Sequence, residues 1–147
     1  MNTLYRTLII MVAALIGLVD ALYLFAHRIS GEPLSCGASG GCNIVAASPL
    51  SVVFGIPLSL LGVIFYFGII LLLFVRTHAL RAYLEKIIAY HSALKLYATA
   101  GLLSSAYFTY LQAFVINAWC RYCILSAITT CIIFIFVFTW KENVVRE

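Results

Sequence analysis

The sequence predicts an all-α integral membrane fold of four spanning helices, and two observations carry that expectation. Of the 147 residues, 65% are hydrophobic and 10% charged, with a mean hydropathy of +1.10; a soluble domain is about half apolar and about a quarter charged. Four apolar stretches follow one another, each of about twenty residues, enough to cross a hydrocarbon layer of roughly 30 Å as a helix. No water satisfies exposed amides in that layer, so helices are the expected spanning form.

The first span is expected near Leu8–Ala26. Its apolar run exceeds the signal-peptide core of about 7–15 residues, and "HRISGEPL" offers no small-x-small cleavage site, so it reads as a span. An external loop, Arg28–Gly55, follows. Within it "ASPLS" reads as a helix start, with Ser48 as N-cap and Pro49 at the first position. The remaining spans are expected near Ile56–Val75, Ala93–Val115 and Tyr122–Trp140. The loop "RTHALRAYLEKIIAYH" carries Arg76, Arg81 and Lys86, which places it in the cytoplasm by the positive-inside rule. Both termini, with Arg6 at one end and Lys141 and Arg146 at the other, then lie on that side too. Arg28 and Arg121 are the basic residues left outside. No tandem repeat or long linker divides the chain, so residues 1–147 are expected to form a single domain. The net charge of +4 is spread among the spans as a topology signal, which sets nucleic acid aside as a partner.

Four of the five cysteines fall on the external face: Cys36 and Cys42 as C-x5-C ("CGASGGC"), and Cys120 and Cys123 in "WCRYC" at the start of span four. In a bacterial cell that compartment is oxidising, so disulfides persist there. A C-x-x-C whose first cysteine sits at a helix N-terminus is suited to redox work. The free N–H groups and the helix dipole favour its thiolate, and two cysteines one turn apart can close a disulfide. Two other readings are open. Four thiolates could bind zinc, although C-x5-C is wider than the usual knuckle spacing. Two structural bridges could tie down the loops, although the glycines of "CGASGGC" suit a cysteine that changes partners. The four cysteines allow three pairings. A relay would use more than one of them in turn, through mixed disulfides. Cys123 lies at the depth of an amphipathic quinone headgroup, and nearby aromatic residues, Phe54, Tyr110 and Phe114 among them, could stack on its ring or form an interfacial belt.

These features together resemble the bacterial homologues of vitamin K epoxide reductase. The resemblance rests on Cys36 and Cys42 in the first external loop, Ser48 six residues later, "FGIPLSLLGVIFY" opening span two, and Cys120 and Cys123 opening span four, in that order. It implies a four-helix bundle around a quinone, capped by the external loop. It also implies that Cys36 exchanges disulfides with a partner, that Cys42 passes electrons to Cys120, and that Cys123 reduces the quinone. Ser48, Phe54, Tyr110 and Phe114 are the candidates for the quinone site, Ser48 because it matches a loop serine near the family's active site. Where vertebrate members carry an asparagine and a tyrosine associated with the vitamin's ring oxygens, this chain has Leu58 and Ala127, so the expected acceptor is a respiratory quinone, ubiquinone or menaquinone. Many bacterial members continue into a thioredoxin-like domain; this chain stops at "KENVVRE", and its expected partner is a separate periplasmic thioredoxin-fold dithiol protein. The implied activity is disulfide generation at the inner membrane, with no metal. A second family of quinone-linked disulfide oxidases places its C-x-x-C in the first external loop, the reverse of the order here.

Asp20, inside span one and sharing a face with Tyr23 at i+3, is either a proton relay or a carboxyl bonded to a neighbouring helix. His78 and His91 fall in the cytoplasmic loop, and His27 at the external lip. Cys131, two turns deeper than Cys123, reads as a buried packing residue.

Overall fold

The computed structural model describes residues 3–37, 40–77 and 89–139. Helix α1, Thr3–Ser30, runs beyond the expected first span at both ends. A short helix α2, Gly41–Ala47, follows an extended segment. A single 3-10 turn, Pro49–Ser51, comes next, with Ser48 as its N-cap; Ser48 Oγ accepts from Leu50 N at 3.2 Å. The cap read from "ASPLS" is present, but it starts one turn only. Beyond it β1, Val52–Val53, pairs antiparallel with β2, Ile56–Pro57, across the two-residue turn Phe54–Gly55. Both turn residues have positive φ, 51° and 82°, the geometry whose twist suits a tight hairpin. Helix α3, Leu58–Thr77, therefore begins after the hairpin and not at Ile56. Helix α4, Ala89–Leu111, continues into a π turn, Gln112–Ile116, that ends at Asn117 in the left-handed region. Helix α5, Arg121–Phe138, completes the chain's described part.

The all-α membrane class is borne out. Three helices are long and apolar enough to cross a membrane, over Leu4–Ser30, Ser92–Ile116 and Arg121–Phe138, and α3 is apolar over Leu58–Phe74. Polarity is arranged for lipid: Val19, Phe67, Leu103 and Ile128 are exposed, while Asp20, Gln112, Thr129 and Thr130 are buried. Arg81, Lys86, Lys141 and Arg146, on which the cytoplasmic assignments rest, lie outside the described residues, as do His78, Trp140 and the side chains of Arg76 and His91.

Helix α1 packs along α3 and α5, and α5 also along α4, whereas α3 and α4 meet only briefly. Their meeting point is Phe65 stacked on Tyr97 at 5.2 Å, with Tyr97 Oη donating to Ile64 O at 3.2 Å. One apolar core, containing Ile10, Tyr66, Ile69, Leu94 and Ile133, joins the helices; a second, Leu34, Cys36, Cys42, Val45, Ala118 and Cys120, lies under α2. Between them the helices leave a cavity of about 790 Å³.

Candidate functional site

The cap is held down residue by residue. Asn43 accepts from Leu34 N at 2.7 Å and donates to Leu34 O at 3.2 Å, pinning the extended segment that ends at Cys36. Arg28 donates to Ala46 O at 2.5 Å and to Ser51 Oγ at 2.9 Å, so its cation sits at the C-terminal end of α2, where the carbonyls of a helix favour positive charge. Tyr122 donates to Ser35 O at 3.1 Å and packs on Tyr23, which packs on His27. Helix α2 rests directly on the turn before α5: a Cβ at Gly41 would overlap the carbonyl oxygen of Trp119. Only glycine permits that approach.

Cys36 and Cys42 form a disulfide with Cα atoms 5.8 Å apart, and both are buried. Cys120 and Cys123 are free thiols. Cys120 is the N-cap of α5, its Sγ accepting from Cys123 N at 3.4 Å, as a cysteine at a helix start is expected to do. Its own N–H donates to Gln112 Oε1 at 3.1 Å. The Cys123 thiol hydrogen bond, followed by the N–H groups of Cys123 and Tyr122, holds the Cys120 thiol below the usual thiol range, with burial and the Asp20 carboxylate pulling the other way. The sequence reading missed Gln112, Asn43 and the clamp made by Arg28. A polar side chain in span three was the available signal for Gln112.

Cys42, Cys120 and Cys123 all open on the cavity, so both cysteine pairs meet it. Its wall is mostly apolar, with Leu58, Phe65 and Phe108, and a few polar groups enter it: Asp20, Tyr66 and Ser126. Tyr66 Oη donates to Ser126 O at 2.8 Å and lies 2.8–3.0 Å from the hydroxyls of Ser126, Thr129 and Thr130. That size and balance suit a ligand with an apolar ring and a few polar atoms.

Of the residues expected at the ring, Ser48, Phe54, Tyr110 and Phe114, none lines this cavity. Phe54 is fully exposed at the hairpin tip, and Tyr110 and Phe114 pack on each other on the exposed side of α4. Proximity in sequence did not show which face each presents. Cys131 is exposed, not buried. Eight residues beyond Cys123 is about 80° around a helix of 3.6 residues per turn, which turns it away from the cavity. Ala127 likewise lines a shallow groove on the other side of α5. Among the described residues no three metal-ligating side chains converge.

A model of the vitamin K epoxide reductase family matches residues 8–138. The chain belongs to that family. No curated protein matches the chain individually. The vitamin K epoxide reductase family consists in general of membrane thiol–quinone oxidoreductases, and this member carries a cysteine pair joined as a disulfide above a second, reduced pair.

Proposed function

We propose that this chain is a thiol:quinone oxidoreductase of the bacterial inner membrane that oxidises a periplasmic thioredoxin-fold dithiol protein and passes the electrons to ubiquinone or menaquinone, supporting disulfide formation. The observation that carries this reading is the burial of Cys120, a helix N-cap thiol, in one cluster with the Cys36–Cys42 disulfide, beside an apolar cavity that Cys123 also lines.

The partner's thiolate attacks Cys36 Sγ, breaking the Cys36–Cys42 bond and leaving Cys42 as thiolate. The partner's second thiol then displaces Cys36, so the partner leaves oxidised and the pair is reduced. Cys42 thiolate attacks Cys120 in a Cys120–Cys123 disulfide and frees Cys123; Cys36 resolves the mixed bond. The outer pair is again a disulfide and the inner pair holds two electrons, the state present in this structure. Helix-cap stabilisation of the Cys120 sulfur makes it the good leaving group in that exchange. The bound quinone supplies an acceptor for two electrons and two protons. Phe65 and Phe108 of the cavity wall would be the aromatic residues available to its ring, and Ser126 and Tyr66 are among the polar groups of that wall. Leu58 at the head of α3 offers no hydrogen bond to a ring oxygen, consistent with a plain quinone as acceptor. The cap faces the periplasm in this reading, and both termini the cytoplasm.

Quinone reduction by the purified protein, with a reduced thioredoxin-fold protein as donor, tests it. Wild-type turnover should be abolished in both Cys36→Ser and Cys123→Ser. Folded wild-type protein inert toward both quinones would leave the cysteines with a structural role.

A further inference from the structure

Asp20 is the only acidic residue of α1, in the middle of a span. It is 6% exposed, and neither carboxyl oxygen has a hydrogen-bond partner among the described residues. A buried charge without a partner is costly, so such a group is normally paired, neutral or functional. The bonded alternative does not hold here. Helix α3 packs closely against α1 here, a Cβ at Gly17 overlapping the Tyr66 ring and one at Gly62 standing 3.3 Å from Ala21, and it brings no donor to either carboxyl oxygen among the described residues. The Tyr66 hydroxyl, one turn deeper, is engaged with α5. Asp20 instead lines the cavity together with Cys120 and Cys123, and its charge reaches the Cys120 sulfur.

We propose that Asp20 carries a proton in the reaction read above: it accepts the proton leaving the Cys120 thiol as the Cys120–Cys123 disulfide forms and delivers it to a ring oxygen of the quinone. The inference rests on the quinone-oxidoreductase reading and adds the proton path that reading lacks. The dithiol loses two electrons and two protons and gains one S–S bond. The quinone gains both electrons and both protons, one by way of Asp20 and the other from the Cys123 thiol. Asp20 ends the cycle in the protonation state in which it began.

The other ionisable groups around it are otherwise occupied. Cys120 at the N-cap of α5, and Cys123 and Tyr122 within it, lie within reach of its charge; the cysteines are the reacting groups, and Tyr122 is bonded to Ser35. Tyr66 of α3 and Tyr97 of α4 donate to backbone carbonyls. At the outer mouth His27 is paired with the Glu32 carbonyl and Arg28 with Ala46, and the Glu32 side chain stands at that mouth also. Asp20 is thus the acid that shares the cavity wall with the thiols and has no hydrogen-bond partner among the described residues.

The test uses Asp20→Asn, which keeps the shape and removes the exchangeable proton, and Asp20→Glu, which restores it. Quinone turnover of the purified protein with a ubiquinone analogue should fall about 10²-fold in Asp20→Asn, while thiol trapping shows electrons still passing from Cys36–Cys42 to Cys120–Cys123. Asp20→Glu should recover most of the activity with a displaced pH profile. In the wild type, oxidation of the inner dithiol should perturb a carboxyl C=O infrared band that moves in Asp20→Glu; its absence overturns the proposal even where Asp20→Asn fails to fold. Wild-type turnover with Asp20→Asn equally active overturns the role of Asp20 alone. No turnover in the wild type overturns the oxidoreductase reading and this inference with it.

Discussion

At the residue scale, the proposed chemistry centres on the Cys120 sulfur. Three donors converge on it: the Cys123 thiol and the N–H groups of Cys123 and Tyr122. Each favours the thiolate, so each lowers the pH at which the proton leaves. Removing the largest contributor must act in the opposite sense. In a Cys131→Ala background with the outer disulfide intact, Cys123→Ala should move the Cys120 thiolate titration, followed by ultraviolet absorbance, to higher pH. A midpoint that does not rise would mean that the thiol hydrogen bond contributes nothing to the sulfur's acidity. The C-x-x-C spacing made this cap legible in advance, because residues three apart on a starting helix meet through local geometry alone. The Gln112 bond to Cys120 N was not legible, because the π turn and the left-handed Asn117 between them set where that side chain ends.

At the element scale, the proposed transfer between the two pairs would depend on how closely α2 sits on the turn before α5. Gly41 against the Trp119 carbonyl sets that distance. Gly41→Ala should lift α2, costing about 1–3 kcal/mol as an overpacked contact. Denaturation should show the loss in stability, and rapid-quench thiol trapping should show slower exchange between Cys42 and Cys120. Unchanged exchange in a destabilised variant would show that the contact serves stability alone. The loop's glycines suggested mobility from sequence, yet Gly41 serves close packing. Likewise the segment before span two, apolar enough to join the helix, forms a hairpin instead: β-branched Val52 and Val53 pair with Ile56 and Pro57 across a turn whose residues both adopt positive φ.

At the scale of the whole molecule, the bundle is apolar outward and keeps its few buried polar side chains inside, Asp20, Gln112 and Thr130 among them at the cavity, so orientation in the membrane decides which compartment reaches the outer cysteine pair. With the cap outside, Glu32→Cys should react with a membrane-impermeant maleimide on intact spheroplasts, and Lys86→Cys should react only after the membrane is opened. The reverse pattern would put the cap in the cytoplasm and remove the oxidising compartment from the proposed role. Composition and hydropathy determined the membrane class and the order of the apolar helices, and the C-x-x-C spacing put Cys123 one turn from Cys120 at a helix start. Those properties follow from transfer energies and from spacings along one helix, which are local in the chain. Only the tertiary structure decided which side chains face the cavity. It turned Phe54, Tyr110 and Phe114 away, exposed Cys131, and brought Asp20, Tyr66 and Ser126 to the wall beside Cys120 and Cys123. In a chain where nearly every face is apolar, hydrophobicity distinguishes helix from water but not core from lipid, so the inward face is selected by close contacts such as Gly17 on Tyr66 and by the hydrogen bonds that buried polar groups must find.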